Sequence, residues 1–480
     1  MGDEHHTLHI FVFPFLAHGH LIPTIDMAKL FAEKYVKVTI ITTPLNAPFF
    51  FKAIEKTKIC SNRIHIQAIE FPCQEAGLPG GCENLDSVPS FDFFPSFFKA
   101  TRLLQVPFEQ LLIEQRPNCV VADIFFSWVT DSAAKFGIPR IVFSGVSFFS
   151  SCALECMRLY KSFENVSSDS EPFLIPGLPG EIKLTRAQLP PHLKNEETPF
   201  AKIINEAREA EKRSYGVLIN SFYELEKDYA DYYRKELGRK AWHIGPLSLC
   251  NRDIGEKALR GKEASFDGHE CLKWLDTKEP NSVVYVCFGS TTNFPDSQLT
   301  EIAKGLEASE QQFIWVVRKS EKDGKDSEEW LPEGFERKME GKGLIIRGWA
   351  PQVLILEHEA VGAFVTHCGW NSTLEAICAG VSLVTWPVAA EQFYNEKLLT
   401  EVLGIGVPVG AKKWGMFEGD SIKWDAVEKA VKRIMIGEEA NEMRNKVKLL
   451  SQLARRAVEE GGSSDSDLNA FIEELRSMSH

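Results

Sequence analysis

Positive charge is scarce in this chain of 480 residues: 54 lysines and arginines stand against 67 aspartates and glutamates, a net charge of −13. Such a surface repels phosphate backbones and anionic lipid, which argues against nucleic acid and charged membranes as main partners. Long apolar runs are missing too, and no stretch approaches the roughly 20 residues that span a bilayer. The apolar segment 8–17 follows Asp3 and Glu4, with no lysine or arginine before Lys29. It therefore lacks the basic flank of a secretory signal and reads as a buried first strand. The eleven cysteines are odd in number and irregularly spaced, which suits reduced thiols in the cytoplasm rather than a disulfide framework. Cys152 and Cys156 have no neighbouring His or Cys to complete a zinc motif, and no metal is expected. In a cytosolic chain the sequon at Asn165 carries no weight. The turn after the first apolar run reads PFLAHGHLIP, without the G-x-G-x-x-G that a dinucleotide oxidoreductase would place there.

What is present is an alternation of short apolar runs with amphipathic helices. The length exceeds one ordinary core, so two domains are expected, and 44% apolar residues are ample to fill them. Strands are predicted over 8–13, 36–42, 119–122 and 141–143, with a first helix burying Met27, Leu30 and Phe31. A second series begins at 282–288, continues through a helix bearing Leu299, Ile302 and Leu306, and includes 313–317, 344–346, 361–365 and 383–386. This is the α/β pattern of doubly wound parallel sheets. The predicted division is an N-terminal domain over 1–246, a polar linker over 247–270, a C-terminal domain over 271–455 and a terminal segment over 456–480. That last segment carries Leu468, Phe471, Ile472 and Leu475 on one helical face. The charged stretch 319–329 reads as a surface loop.

Residues 349–392, WAPQVLILEHEAVGAFVTHCGWNSTLEAICAGVSLVTWPVAAEQ, carry the densest chemistry. One apolar run, 344–346, ends just before this segment and two end within it, and each is followed by unusual side chains. In an open parallel sheet ligands bind beyond the carboxyl ends of strands, so three successive runs are expected to serve one crevice. Trp349 is a flat ring suited to a base, and Gln352 suits the base edge. His367, Gly369, Asn371 and Ser372 stand where a strand turns into a helix, with Asn371 or Ser372 as the natural N-cap. Backbone N–H groups and the helix dipole favour phosphate there. Glu375, one turn on, suits ribose hydroxyls, and Glu391 with Gln392 suits sugar hydroxyls. Trp386, Cys368 and Cys378 read as packing residues.

The segment closely resembles the 44-residue donor signature of plant secondary-product UDP-glycosyltransferases, from its opening Trp349 to its closing Gln392. The resemblance implies the GT-B fold, with two Rossmann-like domains facing across a cleft and the terminal helix crossing back to the N-terminal one. It also implies roles: Trp349 stacks on uracil, and Ala350 and Gln352 hold its edge. His367, Asn371 and Ser372 would meet the diphosphate, Glu375 the ribose, and Trp370, Glu391 and Gln392 the sugar. A closing Gln is associated with glucose, so UDP-glucose is the expected donor and no other cofactor is implied.

Transfer also needs a base. His18 and His20 follow the first strand, with Pro23 suiting the first turn of a helix, and imidazole titrates in the right range. Asp123, at the end of another apolar run, is the matching carboxylate that would fix the imidazole tautomer. The family pattern His-x-x-Pro fits His20 and Pro23, which makes His20 the base and His18 a neighbour shaping the pocket. The expected reaction is direct displacement with inversion at the anomeric carbon, the leaving diphosphate being met by His367, the helix start at Asn371 and Ser372, and Ser290.

The acceptor is less legible. Phenylalanines 91, 93, 94, 97 and 98 crowd one stretch, and Phe148 and Phe149 follow the fourth strand. Phe15, Phe94 and Phe148 are the candidates for an apolar acceptor pocket. The segment 173–193 resembles a subgroup acting on flavonoids, triterpenoids, steroids and other phenolics. A monomeric cytoplasmic glucosyltransferase is the expectation. A sugar-nucleotide sensor on the same fold, or a nucleotide-dependent oxidoreductase, are the readings from other classes.

Overall fold

The computed structural model describes residues 7–55, 62–262, 268–317, 330–415 and 420–478. Asp3, Glu4, the loop expected over 319–329, and 263–267 of the expected linker lie outside them. The strands are β1 (His9–Phe13), β2 (Lys37–Thr42), β3 (Ile64–Ala68), β4 (Cys119–Asp123) and β5 (Arg140–Ser144). A short antiparallel pair, β6 (Pro172–Leu174) and β7 (Lys183–Thr185), precedes β8 (Gly216–Ile219) and β9 (Ala241–His243). The second series is β10 (Val283–Cys287), β11 (Gln312–Val317), β12 (Gly343–Arg347), β13 (Val361–Thr366), β14 (Ser382–Thr385) and β15 (Gly406–Pro408). The runs read from sequence as strands all are strands, within a residue or two at their ends.

Two parallel sheets result. One has seven strands in the order β3-β2-β1-β4-β5-β8-β9, the other six in the order β12-β11-β10-β13-β14-β15. In each, the strand order reverses beside the first strand of its series: between β1 and β4, and between β10 and β13. Those reversals are the topological switch points where open α/β sheets bind ligands. Interior strands are apolar on both faces, as parallel sheets covered by helices require. Every residue of β1, β4 and β13 is buried. β12 differs from expectation, being an edge strand with only Ile346 fully buried. It stands apart from β13, with β11 and β10 between them, so the three donor-segment runs are successive in sequence but not in space.

The chain forms two compact units. One runs to Phe148 and takes in Pro191–Gly261 and the stretch from Arg456; the other holds Phe149–Pro190 and Lys262–Arg455. In the first, helix Ser463–Met478 inserts Phe471 against Phe31 and Trp242. Its Asp467 accepts from the His243 backbone N–H at 2.9 Å and from Arg234 at 2.8 Å. Residues 247–261, predicted as linker, are built into this unit through a turn at Leu247–Cys250 and a helix at Ile254–Ala258. A buried cluster fastens them to the first helix, His18–Glu33. Arg260 Nε meets Asp26 at 2.8 Å, Asn251 donates to Asp26 at 2.8 Å, and Lys29 donates to Asn251 at 2.8 Å.

Candidate active site

In the first unit the switch point lies beyond Phe13 of β1 and Asp123 of β4. The first helix starts at His18, earlier than the placing of Pro23 in a first turn implies, so Pro23 is inside the helix. Both histidines therefore belong to the helix itself. Ala17 is the extended N-cap residue, and its carbonyl accepts the N–H groups of His20 and Leu21 at 2.8 and 3.0 Å. Its methyl offers no cap, so the first turn is held by the backbone. His20 Nδ1 meets Asp123 Oδ2 at 2.6 Å. The His20 side chain is 30% exposed and that of Asp123 only 1%. The carboxylate is held in turn, because its Oδ1 accepts the Phe125 N–H at 3.0 Å. A buried carboxylate on Nδ1 fixes the tautomer, leaving the Nε2 lone pair as the basic site.

Phe15, a predicted acceptor residue, packs edge-on to His20 with ring centroids 5.3 Å apart, and against Phe97, Phe98, Phe125 and Phe126. Phe94 is half-buried at the head of helix Phe94–Leu103. Phe148 stands elsewhere: fully buried, it lies against His243 at 4.6 Å and Tyr233 at 5.3 Å. Its ring is core, because the helix it opens turns that side inward, and it offers no open wall to an acceptor.

The second unit repeats the arrangement. Ser290 follows β10, and His367 follows β13 at the same switch point. His367 is 8% exposed, and burial holds its imidazole down to about 4, so it is neutral at pH 7. Two glycines frame the ring. A Cβ on Gly289 would lie 2.5 Å from His367 Cε1, and one on Gly369 would press on Nε2 closer still. Gly289 also sits at φ +74°, a conformation that side chains resist.

The helix after His367 runs Trp370–Ala379 and its N-cap is Gly369, not Asn371 or Ser372. Those two occupy its first turn instead. Glycine at the cap has no side chain to bond there, and a helix N-terminus of this kind suits an anion. Ser372 and Glu375 are joined to Gln352, whose Nε2 donates to Ser372 Oγ at 3.1 Å and Glu375 Oε2 at 2.7 Å. These bonds link the short helix Gln352–Leu356, which follows edge strand β12, to the helix beyond β13, bringing together two stations that the sheet order separates. Trp349 is half-buried, whereas Ala350 and the Trp370 indole are buried.

Glu391 is the N-cap of helix Gln392–Lys397, and Gln392 is its first residue. Gln392 Oε1 accepts the N–H groups of Val388 and Ala389, each at 2.8 Å. With Oε1 so engaged, Nε2 is the donor end of the amide. Asn395, absent from the sequence expectations, donates to the Cys368 carbonyl at 2.8 Å and to Glu391 at 3.1 Å, and accepts from Ser150 at 2.8 Å. It ties Glu391 to the loop beside His367. An asparagine in mid-helix gives no periodic signal, which is why it went unread. The second unread contact is His18 Nδ1 with Asp86 Oδ2 at 2.5 Å. Among the described residues no cluster of His, Cys, Asp and Glu could hold a metal ion, and no helix is long and apolar enough to cross a membrane.

The chain has counterparts among known proteins. The family model described as UDP-glucoronosyl and UDP-glucosyl transferase matches residues 182–450. A scopoletin glucosyltransferase of Nicotiana tabacum is 58% identical over 473 residues, 98% of each chain. A UDP-glucose flavonoid 3-O-glucosyltransferase of Fragaria ananassa is 57% identical, covering 98% of this chain and 96% of its own. Among solved structures, a Glycyrrhiza uralensis enzyme complexed with glycyrrhetinic acid 3-O-monoglucuronide aligns with TM-score 0.93 at 43% identity, covering 98% and 96% of the two chains. Its GT-B architecture is the one seen here, two parallel-sheet Rossmann-like domains. The sheets, the histidine–aspartate pair and these relatives lead to one conclusion: the chain is an enzyme and belongs to the UDP-glucosyl and UDP-glucuronosyl transferase family.

Proposed function

We propose that the protein transfers glucose from UDP-glucose to a hydroxyl of a small, flat, largely apolar plant metabolite of the phenolic, flavonoid or triterpenoid kind, with inversion at the anomeric carbon. The observation that carries this is the 2.6 Å bond between His20 Nδ1 and Asp123. It makes Nε2 the basic nitrogen of a side chain that is 30% exposed beyond a switch point, as suits a base for hydroxyl deprotonation. His20 Nε2 takes the acceptor proton, and the oxygen attacks the anomeric carbon from the side opposite UDP. The C–O bond to the diphosphate breaks as the new C–O bond forms, and Asp123 stabilises the imidazolium that results.

On this reading Trp349 stacks on uracil and Ala350 and Gln352 serve its edge. Glu375 takes ribose hydroxyls while it stays joined to Gln352. The diphosphate is met by the first-turn N–H groups at Trp370, Asn371 and Ser372, by Ser290 and by neutral His367 as a hydrogen-bond donor. Gln392 Nε2 and the Glu391 carboxylate hold sugar hydroxyls, a donor beside an acceptor. Phe15 and Phe94 offer apolar contact to the acceptor. The relatives named for scopoletin and for a flavonoid support a phenolic acceptor. The same reading has the protein monomeric in the cytoplasm, its thiols reduced.

The test is mass spectrometry of the purified protein with UDP-glucose and a panel of coumarins, flavonoids, triterpenoids and simple phenols. UDP-galactose, UDP-glucuronate and UDP-xylose are run in parallel. One added hexose from UDP-glucose is expected. Transfer only from another sugar would overturn the role given to Gln392, and UDP-glucose binding without any transfer would favour a sensor.

A further inference from the structure

The first helix carries a second histidine–carboxylate pair that the reaction above does not use. His18 Nδ1 meets Asp86 Oδ2 at 2.5 Å, with side-chain exposures of 15% and 4%. Asp86 is not a chance neighbour. Its N–H is accepted by Asn84 Oδ1 at 3.0 Å within a capping box closed by Ser87. The turn is anchored by the Leu85 N–H on the Leu16 carbonyl at 2.7 Å, and Asn84 donates to Asn46 at 2.9 Å. The His18 ring rests edge-on against Phe49, centroids 5.6 Å apart. The carboxylate, the ring stop and the bracing of the turn hold the imidazole in one orientation.

With the carboxylate accepting from Nδ1–H, His18 Nε2 carries a lone pair and accepts hydrogen bonds. His18 and His20 thus present the same chemical group, each fixed by its own buried carboxylate. Residues two apart on a helix leave the axis about 200° from each other, so the rings splay. His18 faces Phe49 and Asp86, while His20 faces Phe15, Phe125 and Asp123. Between them Gly19 is exposed, and a Cβ built there would meet nothing within 4 Å.

We propose that His18 is a specificity-determining residue: its Nε2 accepts a hydrogen bond from a second hydroxyl of the acceptor, and so decides which hydroxyl is presented to His20. Asp86 is the positioning residue that holds it. The inference rests on the glucosyl-transfer reading above and names the acceptor class more narrowly. Because the rings splay, the second hydroxyl lies across a ring system from the reacting one, as in a fused-ring diphenol, rather than on the adjacent carbon.

The experiment uses the full-length protein, UDP-glucose and 1,6-dihydroxynaphthalene, whose two hydroxyls give separable monoglucosides. 1-Naphthol, 2-naphthol and scopoletin serve as single-hydroxyl controls. The readout is the ratio of the two monoglucosides, which total activity does not alter. Wild type is expected to favour one product, with His18→Ala and Asp86→Asn shifting the ratio about tenfold toward unity, the order expected for one lost hydrogen bond to a fixed polar group. His18→Gln, whose amide oxygen still accepts, is expected to shift it less and guards against a misfolded alanine variant. A wild-type ratio near one, or ratios within twofold of wild type in all three variants, overturns the inference and leaves glucosyl transfer standing. Wild-type failure on every phenol, controls included, overturns both.

Discussion

His20 in the first unit and His367 in the second both follow a central strand at a switch point, yet they are held in opposite ways. His20 is 30% exposed and bonded to a carboxylate. His367 is buried, framed by Gly289 and Gly369, and its own bond is a long 3.5 Å one to Thr366. A base must gain a proton during the reaction, so it needs access and a partner that stabilises the imidazolium. A residue facing diphosphate needs a fixed N–H that stays neutral, and burial without a carboxylate provides that. On the proposed reading, surroundings rather than residue type separate the two roles.

The sharpest way to break this contrast is to remove the base. His20→Ala is expected to lower kcat about 10³-fold and Asp123→Asn about 10²-fold, in the range of general-base and tautomer effects. UDP binding measured by calorimetry should stay within about twofold, since neither residue is assigned to the donor. Equal losses in turnover and UDP affinity would sink the division of labour.

The opposite perturbation acts on the second site. Gly369→Ala places a methyl against the His367 ring, and overpacking of about 1–3 kcal/mol should weaken UDP affinity about tenfold. Calorimetry with UDP alone reads it, and an unchanged affinity would show that the frame does not position the ring.

A further effect is on stability. Burial holds His367, His9 and His192 each down to about 4, from an ordinary value of 6.5. Between those values the unfolded chain binds more protons than the folded one, so stability falls as pH drops from 6.5 toward 4 and is fully present above 6.5. Urea titrations should give a lower unfolding free energy, and so a lower midpoint, at pH 4.5 than at pH 7. Equal midpoints would mean that these histidines are not kept neutral by burial.

Much of this was legible in the sequence, because buried parallel strands are continuous apolar runs and because the donor segment concentrates its chemistry. β3 was missed, since IHIQA alternates with polar residues at a sheet edge. β8, β9 and β15 were missed because three or four residues give too little signal. Strand order is a long-range property, so the two switch points stayed invisible although His20, Asp123, Ser290 and His367 were all singled out. The Gly369 cap differs from the sequence expectation because Asn and Ser are the stronger cap formers, while here the cap is a residue with no side chain to bond. Asp86 sits in a polar loop with no periodicity, and only the Asn84-x-x-Ser87 spacing hinted at a braced turn.

The cluster joining Asp26, Lys29, Asn251 and Arg260 bears on how such enzymes are recombined. A chimera that exchanged the C-terminal part at residue 246, where composition suggests a seam, would carry Asn251 and Arg260 away from their partners. Asp26 and Lys29, 1% and 5% exposed, would then have to find substitutes on a foreign segment. An uncompensated buried charge costs about 3–5 kcal/mol, on the scale of a domain's whole stability. A crossover placed after Gly261 keeps the cluster whole, so the practical seam of the first unit lies some way past the one that composition marks.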